Sequence, residues 1–267
     1  MLSDITMGQY YPVDSPVHRL DPRIKLIAAL LFIVTVFLAQ SFVGYLLMLG
    51  FLVLAARLSH VPFSMLLKGL RPLRFILIVT FVLNLFFTPG ETVLFSLWSL
   101  RITREALLQA LFYSLRLAFL VAGTSLLTLT TSPVSLADAI EMLLSPLKKI
   151  HFPVHELAMM MTIALRFIPT LLEETDKIRK AQMARGADFE SGNLLARAKA
   201  MVPLLVPLFV SAFRRAGDLA MAMESRCYHG GEGRTRLRVL TITRNDWIAL
   251  GVMVLLMGLI ILEGILL

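Results

Sequence analysis

Five apolar runs constrain this chain of 267 residues more than any other feature of its sequence. Hydrophobic residues make up 57% of the chain and charged residues 16%, against about 45–50% and 25% in soluble proteins. A helix rises about 1.5 Å per residue and the apolar core of a bilayer is about 30 Å thick, so runs of this kind predict membrane-spanning helices. The runs cover residues 26–39, 42–56, 72–87, 106–130 and 247–267.

The first two runs are short for a bilayer, since each covers only about 20–25 Å as a helix. With flanking residues added they predict a hairpin of two crossings, which breaks at Gln40-Ser41. One bent helix of about thirty residues is the alternative. The third run closes at Thr88-Pro89-Gly90, a strong turn signal.

The positive charges predict the orientation of these spans. Of the 26 Lys and Arg residues, 23 fall on one side of the membrane, the exceptions being Arg101, Arg104 and Arg116. Cationic loops stay in the cytoplasm, so the N-terminus is expected inside and the C-terminus outside. The net charge of +8 does not indicate a nucleic-acid partner, because no aromatic-interleaved basic surface accompanies it.

The region between the fourth and last runs allows two interpretations. Residues 157–168 and 201–213 are apolar enough to form two further spans. Crossing there would place Arg185 and five other cations outside and reverse the charge bias, and Pro169, Pro203 and Pro207 interrupt the runs. We therefore favour long amphipathic helices packed under the membrane domain, partly at the interface.

Three helices are expected in this central region. They run from Pro133 to near Ile150, from Pro153 through Arg185, and from beyond Asn193 to about Arg226. Gly186 suits the left-handed position that ends the second, and Gly230-Gly231 is expected to end the third. Both long helices would then finish in an arginine. Such an arginine can simply complement the helix dipole, or its forked guanidinium can bind a carboxylate on a partner.

The spans contain few polar groups, chiefly Asn84, Arg116 and Glu263. A buried ion can mark a substrate path, although pairing within the bundle is the simpler interpretation for Arg116. The spans hold no cluster of acids or histidines, which argues against a proton-coupled carrier. No metal site and no catalytic residues are predicted, and the lone Cys227 excludes a disulfide within the chain.

The segment leading into the first run, Asp14-Ser-Pro-Val-His-Arg-Leu-Asp-Pro-Arg-Ile-Lys25, resembles the opening signature of the energy-coupling factor transporter T component, the family of EcfT and CbiQ. Ala184-Arg185-Gly186 and Ser225-Arg226-Cys227 resemble that family's two coupling motifs. The order of spans, cytoplasmic helices and final span agrees as well, so the resemblance covers nearly the whole chain.

This resemblance implies a scaffold between two ATP-binding-cassette ATPases and one small membrane subunit that binds a vitamin or another micronutrient. The two arginine motifs would dock on the ATPases, which are identical or different, with the unequal motifs favouring different ones. The ATPases would use Mg–ATP, and this chain would bind no cofactor and catalyse nothing. Apolar faces of the two long helices are candidates for contact with the substrate-binding subunit, and ordinary packing within the domain is the alternative. Their residues are Met159, Met160, Phe167, Leu204, Leu208 and Phe209.

The fold expected is therefore an all-α integral membrane protein in the plasma membrane of a prokaryote, with about five spans. A cytoplasmic domain of two long coupling helices and one shorter helix completes it. The expected segments are a cytoplasmic N-terminus (1–25), spans 1–4 (26–131), the coupling domain (132–230), a linker (231–246) and the last span (247–267). A stand-alone secondary carrier or a membrane-embedded lipid-acting enzyme is the alternative.

Overall fold

The computed structural model describes residues 10–90, 92–97, 100–150, 152–189, 193–230 and 240–266. Within these ranges the protein is almost entirely helical, which confirms the all-α prediction. The helices are α1 (Pro22–Leu38), α2 (Phe42–Leu58), α3 (Phe63–Leu70), α4 (Arg74–Phe87), α5 (Arg104–Thr130), α6 (Pro133–Leu143), α7 (Val154–Ala184), α8 (Leu194–Glu224) and α9 (Arg244–Leu266). A 3-10 helix, Ser145–Ile150, follows α6, and the antiparallel strands β1 (Val93–Leu97) and β2 (Leu100–Thr103) connect α4 to α5.

Several helices are long and apolar enough to cross a membrane. Among the described residues these are α5, α7, α8 from Arg197 onward, and α9, and the bent pair α3–α4 counts as a fifth if it forms one span. The protein is thus a multi-pass membrane protein. Length and composition do not separate crossing helices from interfacial ones, so the placement of α7 and α8 along the membrane stays a prediction.

The first two apolar runs form two helices rather than one bent helix. Ser41 caps α2 by accepting hydrogen bonds from the Val43 and Gly44 amides. The Phe32 ring of α1 and the Phe51 ring of α2 stack with their centroids 5.9 Å apart. The predicted break at Gln40-Ser41 is confirmed, whereas the crossing of the membrane by each of the two helices stays a prediction.

Two compact units can be distinguished among the described residues. The bundle unit comprises residues 10–139 and 240–266, and the hairpin unit comprises residues 140–230. In the bundle unit, α1, α2, α5 and α9 surround one apolar core. Its buried residues include Phe32, Val36, Tyr45, Met48, Phe119, Met253 and Ile260.

A polar cluster, the N-terminal clasp, precedes α1 and joins three helices of the bundle unit. The Asp246 carboxylate, which is 0% exposed, accepts hydrogen bonds from the Asp21 amide at 2.6 Å and from the Thr243 amide and hydroxyl. Lys25 donates to the Thr130 carbonyl at the end of α5. Arg23 pairs with Asp21 at 2.7 Å. The signature segment therefore fixes the start of α1 to the start of α9 and the end of α5.

Arg116 is paired inside the bundle unit, as the simpler interpretation predicted. Its guanidinium donates to the Tyr45 hydroxyl at 3.2 Å and to the Ala39 carbonyl at the end of α1 at 3.1 Å. Ser41 donates to Glu263, and Asn84 donates to the Thr80 carbonyl. These hydrogen bonds satisfy Arg116 and Asn84 locally, as a polar group in a span requires. Glu263 is satisfied at one carboxyl oxygen only, since its Oε2 is buried without a hydrogen-bond partner among the described residues.

The hairpin unit is built on α7 and α8, which run antiparallel. Glu174 on α7 accepts from Ser211 at 2.5 Å and from Arg215 at 2.7 Å, both on α8. Nearer the connecting loop, Gln182 donates to the Pro203 carbonyl at 3.4 Å. At the opposite end of α7, His155 lies 3.1 Å from the Glu141 carboxylate.

Three local predictions need correction. The short helix expected to reach Ile150 stops at Leu143, because Pro146 cannot continue the α-helical ladder, and a 3-10 helix follows. Helix α8 ends at Glu224, ahead of the expected Gly230-Gly231, of which Gly231 lies outside the described residues. Helix α3 was not predicted, because its eight residues are too few to show a clear apolar period.

Candidate functional site

The C-terminal end of α7 is a capped turn that places Arg185 at the tip of the helix. Gly186 takes a φ of +86°, the left-handed conformation that costs glycine little. Its amide donates to the Met183 carbonyl, and the Ala187 amide donates to the Gln182 carbonyl, both at 3.0 Å. This is a Schellman motif, with Arg185 directly before the left-handed residue. The left-handed role predicted for Gly186 is confirmed.

The end of α8 repeats this turn 41 residues later, with a cysteine in place of the glycine. Cys227 has a φ of +54°, and its amide donates to the Glu224 carbonyl at 2.9 Å. The Tyr228 amide donates to the Met223 carbonyl at 3.1 Å. Arg226 therefore occupies the position that Arg185 occupies on α7. The expectation that glycine would end this helix is wrong, since Cys227 takes the conformation that glycine favours.

Exposure distinguishes these two helix ends from a third one with the same cap. Helix α2 also ends in a Schellman motif, with His60 at a φ of +54° and the Val61 amide bonded to the Ala56 carbonyl. There, however, Ser59 and Val61 are buried within the protein. At α7 and α8 the arginine is exposed together with its flanking residues. The cap is a general device, and the exposed arginine is what the two ends share.

The two arginines lie at opposite ends of the antiparallel pair. Arg185 adjoins the loop that leads into α8, whereas Arg226 follows the last turn of α8. Helix α8 has 31 residues, which span about 45 Å. One partner contacting both arginines would have to reach across that length, so two separate contacts are the simpler arrangement.

The two ends match in backbone but differ in charge. Residues 177–187 contain four cations and no acid, whereas the equivalent residues 218–228 contain two acids and one arginine. The net charges are thus +4 and −1. When both windows are widened by one residue on each side, the first gains Asp176 and Asp188 and the second gains no Asp, Glu, Lys or Arg. The difference in net charge between the two ends then falls from five to three. Equal turns therefore present unequal electrostatic surfaces.

The apolar residues predicted for partner contact differ in accessibility. Phe209 and Met160 are 61% and 54% exposed. Met159, Phe167, Leu204 and Leu208 are half-buried. A wider exposed stripe follows one face of α8. It consists of Met201, Val202, Leu205, Val206, Phe209, Val210 and Phe213. Their spacing alternates between one and three residues, which marks a single helical face and was the sequence signal for them.

Across the described ranges, no three His, Cys, Asp or Glu side chains come together as metal ligands would. The geometry instead offers exposed guanidinium groups on rigid helix ends and an exposed apolar helix face. Such groups bind protein surfaces, the first through carboxylates and the second through apolar burial.

Comparison with known proteins connects this arrangement to transporters. A family model described as cobalt transport protein, CbiQ, matches residues 14–237. A protein of Clostridium kluyveri is 56% identical over 250 residues, 93% of each chain, and one of Ruminiclostridium cellulolyticum is 52% identical over 262 residues, 98% of each chain. A Bacillus subtilis protein is 53% identical over 246 residues, 92% of this chain and 93% of the relative. All three are named energy-coupling factor transporter transmembrane protein EcfT.

Proposed function

The chain belongs to the CbiQ family as the transmembrane component of an energy-coupling factor transporter, and from that premise we propose that it couples two ATP-binding-cassette ATPases to a small membrane subunit that binds a vitamin or other micronutrient. The ATPases bind Mg–ATP and hydrolyse it. This chain carries their movement to the substrate-binding subunit and catalyses no step itself.

The equivalence of the two helix ends is the observation that carries this proposal. Ala184-Arg185-Gly186 and Ser225-Arg226-Cys227 have the same turn, the same arginine position and the same exposure. Equivalent contacts fit two partners of the same architecture, each supplying a carboxylate to one guanidinium. The unequal charges around the ends favour two ATPase surfaces that differ, hence two different ATPases.

Rigid helices suit the transmission of force between subunits. The Glu174 contacts to Ser211 and Arg215 tie α7 to α8 in the middle of the pair. A displacement imposed at either arginine therefore moves both helices together. We place the hairpin unit on the cytoplasmic side of the plasma membrane, with the N-terminus inside and the C-terminus outside, because the cations favour that side.

The first test is affinity purification of the chain with co-expressed ATPases from the same genome. Truncating one partner of a buried charge pair costs about 2–5 kcal/mol, and reversing the charge should cost at least as much. We expect Arg185→Glu and Arg226→Glu each to weaken ATPase retention at least about thirtyfold at one end. The double change should abolish it.

Arg214→Glu is the matched control, since Arg214 is an exposed arginine on α8 away from both ends. It should retain both ATPases. A wild-type chain that retains no ATPase and transports substrate alone would instead establish the stand-alone carrier. If the purified chain chemically converted a lipid without any ATPase, it would be a lipid-acting enzyme. That result would contradict both the coupling subunit and the stand-alone carrier.

The substrate-binding subunit is proposed to contact the apolar surface of the hairpin unit, which includes the exposed stripe of α8. Leu205→Asp with Phe209→Asp should release that subunit while both ATPases stay bound, because two charges would enter an apolar contact. Leu195→Asp, on an exposed residue outside the stripe, is the control. Loss of both kinds of partner, or of neither, would contradict this assignment.

A further inference from the structure

A cationic bend, the α3 elbow, lies where α2, α3 and α4 meet in the bundle unit. We define it by Arg57 in the last turn of α2, Lys68 on α3, Arg71 after α3, and Arg74 at the start of α4. All four side chains are exposed. Within the part of the chain that the structure describes, none of the four makes a side-chain ion pair.

The surrounding sequence supplies no counter-charge to the elbow. From residue 22 to residue 90 the chain contains six Lys and Arg residues and no Asp or Glu. Two of the six, Arg23 and Lys25, are committed to the N-terminal clasp. The four cations of the elbow are therefore available to anions from outside the segment.

Helix α3 is held on the bundle in a fixed orientation. Leu66 is buried in a small core with Ala56 and Leu129. A side chain at Gly69 would place its Cβ 2.7 Å from the Ser125 hydroxyl, so this face of α3 sits tightly on α5. The axis of α3 turns by 63° from that of α4.

The outward face of the elbow combines apolar and basic side chains. Leu67 is 63% exposed beside Lys68, and Phe75 is 75% exposed beside Arg74. Phe63, one turn before Leu67, is also exposed. An amphipathic helix at the end of two apolar helices, with cations among exposed apolar residues, matches the boundary between acyl chains and headgroups.

We propose that the α3 elbow binds the headgroups of anionic phospholipids in the leaflet that it meets. The phosphates pair with Arg71, Arg74, Arg57 and Lys68, and the acyl chains cover Phe63, Leu67 and Phe75. Guanidinium groups suit this role because their planar fork matches phosphate oxygens. The exposed apolar residues favour a lipid over an acidic protein surface, which would leave them in water.

The test measures which lipids the full-length protein retains. The chain is reconstituted in nanodiscs of equal parts palmitoyl-oleoyl phosphatidylglycerol and phosphatidylcholine, extracted gently, and analysed by native mass spectrometry. A basic residue near an anionic membrane contributes about a fivefold preference. The wild type should therefore retain phosphatidylglycerol selectively, and Lys68→Gln with Arg71→Gln should reduce that selectivity about tenfold or more.

Lys148→Gln with Lys149→Gln removes two exposed cations elsewhere and should leave the selectivity unchanged. Lys68→Gln with Arg71→Lys keeps one of the two charges without its guanidinium fork, so this variant should recover part of the preference. Free glycerol phosphate at millimolar concentration should not displace the lipid, since it lacks acyl chains. Equal retention of both lipids by the wild type, or equal losses in the two glutamine double variants, would overturn the proposal. So would a loss of ATPase retention in Lys68→Gln with Arg71→Gln at unchanged lipid selectivity.

Discussion

Cys227 occupies a backbone position that glycine usually fills. A left-handed φ costs a residue with a side chain roughly 1–2 kcal/mol, whereas glycine adopts it freely. The thiol is exposed, so its side chain gains no core packing in return. On sequence, Cys227 is only the third residue of the second coupling motif, and the structure gives it a conformational role.

We expect Cys227→Gly to stabilise the end of α8 by about 1 kcal/mol, and Gly186→Ala to destabilise the end of α7 by about the same amount. Hydrogen exchange of the Tyr228 and Ala187 amides, which close the two turns, measures this directly. Gly217→Ala, in open space within α8, should not slow or speed exchange at either turn. Unchanged protection in the first two variants would show that the caps do not stabilise these ends.

His18, whose backbone carbonyl accepts from the Lys25 ammonium at 3.0 Å, makes the surroundings of the N-terminal clasp sensitive to pH. Its Nε2 lies 3.0 Å from the Tyr11 carbonyl, which can only accept, so Nε2 carries the proton and Nδ1 accepts from Ser15 at 2.7 Å. Burial lowers the pKa of His18 below its ordinary value of 6.5, against the opposing effect of the Tyr11 carbonyl. A charged ring would lose the Ser15 hydrogen bond in its present direction.

The folded protein therefore binds this proton less tightly than the unfolded chain. The stability contributed by the neutral ring is present above about pH 6.5 and is lost as the pH falls through the lowered pKa. We expect the thermal unfolding midpoint in detergent to fall more between pH 7.5 and pH 5 in the wild type than in His18→Gln. Parallel pH profiles for the two proteins would contradict this.

At the scale of elements, hydrophobic runs predicted the long helices because apolar length is a local property of sequence. The polar pair Gln40-Ser41 predicted the α1–α2 break, and Gly186 predicted the end of α7, for the same reason. The contact of Asp246 with Asp21 was not predictable, since it joins residues 225 positions apart and neither carries a local pattern. The same holds for the match between the two helix ends, which depends on Cys227 adopting a rare conformation.

Asp246 provides the test of how α1 and α9 are joined. Asp246→Ala removes the acceptor for three donors, two of them backbone amides, and a buried donor left without a partner costs about 1–3 kcal/mol. We expect a loss of about 3 kcal/mol in unfolding free energy and faster proteolysis near the start of α1. Asp218→Ala, at an exposed carboxylate, should change neither. An equal effect of both variants would remove the special role of Asp246.

At the scale of the whole molecule, the charge difference between the helix ends predicts how the transporter assembles. This prediction rests on the proposed docking of ATPases. Exchanging Lys177→Asp and Lys180→Met gives α7 the residues found at the equivalent positions of α8. Because charge steers association, we expect ATPase binding at the Arg185 end to slow about tenfold at low salt.

The difference in association rate between this variant and the wild type should disappear at high salt, because salt screens the charges. Association rates at low and at high salt, measured with each purified ATPase, provide the comparison. Asp218→Lys with Met221→Lys is the reciprocal variant, which gives α8 the cations found at the equivalent positions of α7. It should speed the binding, at the Arg226 end, of the ATPase that normally binds at the Arg185 end. Rates that do not change in either variant would mean that backbone shape alone selects the partner.

The clasp between Asp21 and Asp246 can form only late in the synthesis of the chain. At about 5–20 residues per second, a ribosome needs roughly 10–45 s to make the 225 residues that separate them. During that interval the start of α1 lacks its contact with α9. The clasp therefore closes only after Asp246 has been synthesised, and a chain cut short before Asp246 leaves the Asp21 amide without this acceptor.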